Sequence, residues 1–87
     1  MNCFVITNDN NDFLYDDDLC YKLDYTGSKN KMFGENIWLA RKYKDMKSAT
    51  AAAKTFNTGA VKRGGKPMTL FAGEFSIDSA TLSSVEV

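Results

Sequence analysis

The 87-residue sequence contains no histidine, only one proline and only two cysteines. Without histidine the chain has no His-based catalytic triad, no histidine general base and no histidine metal ligand. A zinc site needs four ligands at close spacings, whereas Cys3 and Cys20 stand alone. Two cysteines also make no disulfide framework, which favours a reducing, cytoplasmic compartment.

Long apolar runs are missing as well. No segment approaches the roughly 20 apolar residues of a transmembrane helix. The first residues lack the basic and apolar regions of a signal peptide. Apolar residues make up 44% and charged residues 25% of the chain, which is ordinary globular composition. We therefore expect a single cytoplasmic domain over residues 1–87, with no membrane partner.

Charge is present but unevenly distributed. The formal net charge is zero, yet residues 1–21 contain five acids and no base. Residues 22–66 contain all eleven bases and only three acids, a net charge of +8, and residues 67–87 contain three acids. This layout has two interpretations. Either the basic middle binds an anionic partner such as nucleic acid, or the acidic segment folds back onto it.

Hydrophobic patterning predicts an α+β domain with an antiparallel sheet of four or five strands and one principal helix packed on one face. Short β-branched and aromatic runs predict the strands, and an Asn/Asp-rich turn joins the first two into a hairpin. The predicted strands cover residues 3–7, 13–15, 19–25, 37–43 and 68–77. Residues 26–35 are a predicted loop, and residues 78–87 are either a frayed tail or a short edge element.

The helix is predicted near residues 48–58. Small and apolar residues recur there at the spacing of one helix face, namely Ala49, Ala52, Ala53 and Phe56. Ser48 fits the N-cap, and Gly59 fits the left-handed residue beyond the C-terminus. One short helix cannot cover a sheet of this width. We therefore expect part of one sheet face to meet solvent or a partner, and we expect a homodimer or larger assembly.

Basic and aromatic residues interleave in the predicted strand at 37–43, and a basic, glycine-containing loop is predicted at 60–67. Single-stranded RNA binds by base stacking on aromatic rings and by lysine and arginine contacts to phosphates. The candidate nucleic-acid-binding residues are Trp38, Arg41, Lys42, Tyr43, Lys44, Lys62, Arg63 and Lys66. The alternatives are a core role for Trp38 and an ordinary solvated loop. Only one of Trp38 and Tyr43 can stack on RNA if the helix covers the other face.

The sequence gives little support for a phosphate-binding loop, a cation site or a catalytic site. Residues 59–67 differ from a phosphate-binding loop in spacing, and Pro67 removes an amide that such a loop needs. The aspartates at 16–18 alternate in direction along a strand, which favours a solvated run, or a mask over the basic surface, above a cation site. No nucleophile, base and orienting group can be assembled. We expect no enzyme activity and no cofactor.

The order of elements resembles that of small accessory proteins of T4-type bacteriophages. The features are the strand Phe4-Val5-Ile6-Thr7-Asn8, the Asn/Asp turn, the Ser48-capped alanine-rich helix and the closing apolar strand. Such proteins are often inhibitors of host enzymes or of antiviral defence, and one group suppresses toxin–antitoxin ribonucleases by binding RNA. The resemblance therefore implies an anti-defence role in the cytoplasm of a host cell.

Three functions follow as hypotheses. The first is a non-enzymatic RNA-binding protein, whose partner is single-stranded or structured RNA. The second is a protein-only inhibitor that binds a host protein through an uncovered sheet face or an edge strand. A structural or assembly component is the third possibility. RNA is favoured over duplex DNA because the helix offers mainly alanine and threonine, which read a major groove poorly.

Overall fold

The computed structural model describes residues 1–16, 33–62 and 64–87. Within these residues five strands form one antiparallel sheet, and one α-helix, α1 (Met46–Lys62), packs against its two central strands. The strands are β1 (Asn2–Asn8), β2 (Phe13–Leu14), β3 (Phe33–Gly34), β4 (Leu70–Ser76) and β5 (Thr81–Glu86). Their order across the sheet is β3-β2-β1-β4-β5. The predicted α+β class, with one principal helix on an antiparallel sheet, is confirmed.

The predicted hairpin between β1 and β2 is present, with Thr7 opposite Phe13. Asn8 shapes its turn, because the side-chain Oδ1 accepts hydrogen bonds from the backbone N–H groups of Asn10 and Asp12, each at 3.0 Å. Asn11 takes a positive φ of 63°, which asparagine tolerates better than most residues. The asparagines of this turn therefore satisfy the backbone groups that a tight reversal would leave unpaired.

Strand β1 lies in the middle of the sheet and is buried on both faces. Ile6 faces α1, where it packs with Leu70, Ala72 and the helix alanines. Val5 faces the opposite side and belongs to a second apolar cluster. The alternation of β1 therefore supplies two small cores, one on each face of the sheet.

The second core covers part of the sheet face opposite α1. Val5, Phe13, Tyr15 and Ala40 are buried there, and the side chains of Ile37 and Leu39 pack against them. The chain before α1 thus covers part of the face that α1 leaves open. The remaining apolar side chains at the β4–β5 end of this face, including Phe75 and Leu82, are partly buried.

The predicted strand at residues 37–43 is wrong in its first half, where Ile37–Leu39 form a 3₁₀ helix. Asn36 causes this turn, since its side-chain Oδ1 accepts a hydrogen bond of 3.0 Å from the backbone N–H of Trp38. The second half is extended, with single bridges from Ala40 to Tyr15 and from Tyr43 to Phe4. The N-cap at Asn36 therefore overrides the strand preference of this β-branched and aromatic segment. The sequence analysis did not identify that N-cap.

Helix α1 is longer than predicted at both ends. Its first turn is capped by Asp45, whose carboxylate accepts a 2.7 Å hydrogen bond from the backbone N–H of Ser48. Ser48 is therefore the third helical residue instead of the N-cap. At the other end Gly59 lies within the helix, and Gly64 takes the left-handed conformation with φ of 84°. The predicted loop at 60–67 thus begins after Lys62.

Two backbone hydrogen bonds close the C-terminus of α1. The N–H of Gly64 donates to Val61 O (3.0 Å), and the N–H of Gly65 donates to Ala60 O (2.9 Å). These are the bonds of a Schellman motif, in which a glycine at positive φ ends the helix without a steric cost from Cβ. The paired glycines therefore set the end of α1.

Strand β4 is two residues shorter at its start and one at its end than the predicted 68–77 strand. The chain after it is the edge strand β5, so residues 78–87 are an edge element and not a frayed tail. Gly73 allows this pairing, since a Cβ there would lie 2.6 Å from Ser84 Cβ and 2.7 Å from Ser83 O. Strand β3 falls inside the predicted loop at 26–35, and the predicted strand at 19–25 lies outside the described residues.

Candidate nucleic-acid interface

The outer face of α1 carries three exposed lysines, Lys47, Lys54 and Lys62, which we name the lysine row. At 100° per residue these positions lie within about 80° of one another around the helix. Successive members are about 10 and 12 Å apart along the axis. No acidic residue occurs from residue 46 to residue 73. The row is therefore a stretch of positive charge without intervening acids on its own helix.

Arg41 and Tyr43 lie beside the middle of α1. They share a shallow depression of about 290 Å³ with Phe56 and other apolar residues of the helix side. The Arg41 guanidinium carbon lies 5.8 Å from the centre of the Tyr43 ring, within the range of a cation–π contact. Tyr43 is partly buried against the helix-side core. Its ring is therefore engaged in packing, while Arg41 is exposed beside it.

Asp45 is the one acid between Lys44 and Lys54, and its carboxylate is hydrogen-bonded to the first turn of α1. Hydrogen bonds from the backbone and the side chain of Ser48, with a smaller contribution from the charge of Lys44, hold the pKa of the Asp45 carboxyl below its ordinary 3.8. The carboxylate stabilises the positive end of the helix dipole. Lys44, which is exposed, stands beside it at the start of the lysine row.

Trp38 is 66% exposed, although it lies in the 3₁₀ helix between two apolar residues that pack on the second core. The core alternative for this side chain is therefore wrong. Its neighbours Ile37 and Leu39 contact the sheet face opposite α1. Trp38 and Tyr43 consequently lie on different sides of the sheet, as the strand interpretation also required, and Trp38 is the one with an open ring.

Lys42 has a structural role that sequence patterning did not predict. Its ammonium group donates hydrogen bonds to the carbonyl oxygens of Ile37 (3.0 Å) and Ala40 (3.1 Å). These bonds lie at the C-terminal end of the 3₁₀ helix, where Ile37 O also accepts a hydrogen bond from the backbone N–H of Ala40. Two of the three ammonium donors of Lys42 are thus occupied within the chain.

Lys62 lies at the far end of α1, about 24 Å along the helix axis from its first residue, and Lys66 follows four residues later in the chain. Lys62 belongs to the last turn, and Lys66 is exposed in the connection to β4. Asn57 fastens this connection to α1 by a pair of hydrogen bonds with the backbone of Met68, at 2.8 and 2.9 Å. Arg63 lies outside the described residues.

The structure therefore divides the predicted site. Lys44 and Lys62 join one basic surface along α1, Arg41 lies beside the middle of the helix, Trp38 lies on the opposite sheet face, and Lys42 bonds the end of the 3₁₀ helix. Lys47 and Lys54 belong to the basic surface but were not among the predicted residues. Their spacing of seven, followed by eight residues to Lys62, is the pattern that would have revealed them, had the helix been predicted over its full length.

Among residues 1–16, 33–62 and 64–87, no helix is long and apolar enough to cross a membrane. The same residues contain no group of three histidine, cysteine or carboxylate side chains that could hold a metal ion. Comparisons with protein-family models, with curated proteins and with solved structures match nothing. The resemblance to bacteriophage accessory proteins therefore stays a prediction.

Proposed function

We propose that the protein is a non-enzymatic RNA-binding protein whose contact surface is the outer face of α1. The observation that carries this proposal is the lysine row, three exposed lysines on the outer face of α1, with the exposed Lys44 just before its first turn. Lysine binds phosphate as a point charge and carries no sequence information, so this surface suits a backbone contact that tolerates many sequences.

The two acids that flank the lysine row along the chain each make a contact of their own. Asp45 is engaged with the first turn of α1, and the next acid along the chain is Glu74 on β4. Glu74 accepts a 2.8 Å hydrogen bond from the side chain of Asn2. A positive strip on a protein of zero net charge therefore faces solvent, and it raises the local concentration of anionic ligands.

RNA is favoured over duplex DNA by what the surface lacks. The outer face of α1 has no arginine, asparagine, glutamine or glutamate, the residues that recognise base edges in a major groove. Trp38, the exposed ring of the predicted site, lies on the opposite sheet face and takes no part in this surface. The lysine row therefore suits contacts to the phosphates of a flexible single strand or a loop.

A fluorescence anisotropy titration with mixed-sequence single-stranded RNA at low salt tests this function. A duplex DNA of the same length serves as the comparison. We expect dissociation constants within about 1–100 µM at physiological salt and tighter binding at low salt. Tighter binding of the duplex DNA would redirect the proposal to DNA. No binding at about 100 µM protein in low salt would overturn it.

A negative titration would promote the second hypothesis, a protein-only inhibitor of a host enzyme. Open strand edges are where such inhibitors add to a partner, and β5 is a strand at the edge of the described sheet. An anti-defence role, with either RNA or a host protein as the partner, is supported by the bacteriophage resemblance alone. Growth of a host that carries a toxin–antitoxin ribonuclease, with and without the protein, tests that role.

A further inference from the structure

Strand β5 forms one edge of the sheet within the described residues, since it pairs with β4 alone. Natural edge strands are usually protected against pairing with another chain by lysines, prolines or bulges. Residues 81–87 contain no lysine, no arginine and no proline, and their pairing with β4 is regular over six residues. This edge is therefore open to a further antiparallel strand.

The ladder with β4 determines which groups of β5 point outward. Val87 donates a 2.9 Å hydrogen bond to Leu70 O, which makes Val87 and Leu70 a hydrogen-bonded pair. In an antiparallel ladder such pairs alternate with pairs that make no hydrogen bonds. The backbone N–H and C=O groups of Leu82, Ser84 and Glu86 therefore point away from β4.

The outward backbone groups of β5 are spaced evenly on either side of Ser84, so they can pair with the same groups of a second copy. If two copies of β5 run antiparallel with Ser84 opposite Ser84, then Leu82 of each copy faces Glu86 of the other. All outward groups of both strands are then paired, in three hydrogen-bonded pairs. A shift by two residues in either direction brings Ala80, which has a φ of 53°, or the end of the chain into the ladder, and loses pairs.

The position of the one charged residue of β5 is compatible with this register. Glu86 is the one charged residue of the strand. With Ser84 at the two-fold axis, the two Glu86 residues lie about 14 Å apart along the strands. That separation exceeds the Debye length of about 8 Å at physiological salt, so their repulsion is largely screened. A register centred on Glu86 itself would place the two carboxylates directly opposite each other.

We propose that the β5 edge binds the β5 edge of a second copy, so that two five-stranded sheets form one continuous antiparallel sheet across a two-fold axis. The exposed Val85 of each copy then faces Ser83 of the other on the α1 side. This proposal does not depend on RNA binding, because it rests on the strand edge alone.

The two-fold axis also determines where the basic surfaces lie in the dimer. An axis perpendicular to the sheet keeps both copies of α1 on the same face. Each helix packs on β1 and β4, which places the two helix axes about 19 Å apart at the usual strand spacing. The dimer thereby presents two lysine rows side by side to one ligand.

Sedimentation velocity over about 5 to 500 µM tests the proposal. We expect the mass to rise from one copy to two with concentration, because a single strand pairing is a small interface. Ser84→Lys places two like charges opposite each other and should weaken the dimer roughly fivefold or more. Thr69→Lys is the matched control, since it adds the same charge at an exposed position before β4.

A mixture of Ser84→Lys and Ser84→Glu proteins supplies the decisive comparison, because opposite charges meet at the axis. We expect each variant alone to be weakened and the mixture to recover dimerisation. Ser84→Cys gives a second readout that does not require a charge at the edge. Cα atoms in a hydrogen-bonded pair lie about 5.5 Å apart, which suits a disulfide. A cross-linked dimer should form with Ser84→Cys, and neither with Thr69→Cys nor with the wild type.

Three results would overturn the proposal. The first is a monomer mass for the wild type at about 500 µM, the top of the concentration range in which a small interface of this kind should associate. The second is dimerisation of Ser84→Lys at the wild-type strength, with its thermal melt showing a folded protein. The third is the absence of a cross-linked dimer in the folded Ser84→Cys variant.

Discussion

Lys42 and Lys44 are two residues apart, and the structure assigns them different tasks. Both are exposed lysines of the predicted RNA-binding segment. The ammonium group of Lys42 bonds two carbonyl oxygens at the end of the 3₁₀ helix, whereas Lys44 stands at the start of the lysine row. Lys42→Met and Lys44→Met each remove one positive charge and keep an unbranched apolar stem. The pair therefore separates a structural lysine from a ligand-binding one.

The expected magnitudes follow from these contacts. An intramolecular hydrogen bond contributes about 0.5–1.5 kcal/mol net, and both bonds of Lys42 are partly accessible to water. We expect Lys42→Met to lower the free energy of unfolding by about 1–2 kcal/mol. For a domain of this size each kcal/mol corresponds to about 4–8 °C in Tm. Lys44→Met should stay within about 0.5 kcal/mol, as most surface substitutions do.

RNA binding should show the opposite pattern. Loss of one phosphate contact flattens the plot of log affinity against log salt by about 0.7 for a single strand. We expect this change for Lys44→Met and a smaller one for Lys42→Met. Thermal melting and anisotropy titrations at several salt concentrations measure the two effects. The reasoning is refuted if Lys42→Met melts with the wild type, or if Lys42→Met lowers the salt slope more than Lys44→Met does.

Three further predictions concern the fold. Because the pKa of Asp45 is lowered in the folded state, its carboxylate stabilises the protein above the ordinary pKa of 3.8, and this stability is lost as the pH falls through the folded value. Thermal melts from about pH 2 to 7 should therefore show that the wild type has a higher Tm than Asp45→Asn and that this Tm difference shrinks in acid. A Tm difference that does not change with pH would contradict this. Gly73→Ala should cost about 1–3 kcal/mol in urea unfolding, because its Cβ would overlap backbone atoms of β5, and an unchanged midpoint would be inconsistent with that packing. Gly64→Ala should lower the free energy of unfolding by about 1–2 kcal/mol, because alanine is strained at this positive φ. A variant as stable as the wild type would show that Gly64 does not end α1.

Much of the fold could be predicted from local pattern. The alternation of β1, the Asn/Asp turn and the helix-face spacing of Ala49 and Ala53 each have one simple interpretation, and each is confirmed. These signals are strong because burial and periodicity agree within a few residues. The edge position of β5 was among the alternatives, and pairing with β4 decided between them.

The ends of α1 could not be predicted by the same means. Asp45 and Ser48 are both good N-cap residues, and Gly59 and Gly64 are both good residues to end a helix. Local preference ranks these choices almost equally. Tertiary contacts decide, since Asn57 binds the backbone of Met68 and so holds the last turns of the helix beside the start of β4.

This boundary error carried over to the candidate site. A helix over residues 48–58 excludes Lys47 and Lys62, which leaves Lys54 as an isolated charge. The full helix brings these three lysines onto one face. The side-chain bonds of Lys42 could not have been predicted, because they depend on a 3₁₀ helix where β-propensity favoured a strand.

The central claim is that the lysine row of α1 binds RNA, and a pair of charge-matched variants tests it most directly. One variant carries Lys47→Gln, Lys54→Gln and Lys62→Gln. The other carries Lys22→Gln, Lys29→Gln and Lys31→Gln, which removes the same charge outside α1. Both are titrated with single-stranded RNA from about 20 to 200 mM salt, beside the wild type.

We expect the α1 variant to bind more weakly and its salt slope to be flatter by about 2, which is three contacts at about 0.7 each. The other variant should keep a slope close to that of the wild type. Equal losses in the two variants would show that net charge alone governs binding, and an unchanged slope in the α1 variant would show that the lysine row does not contact RNA.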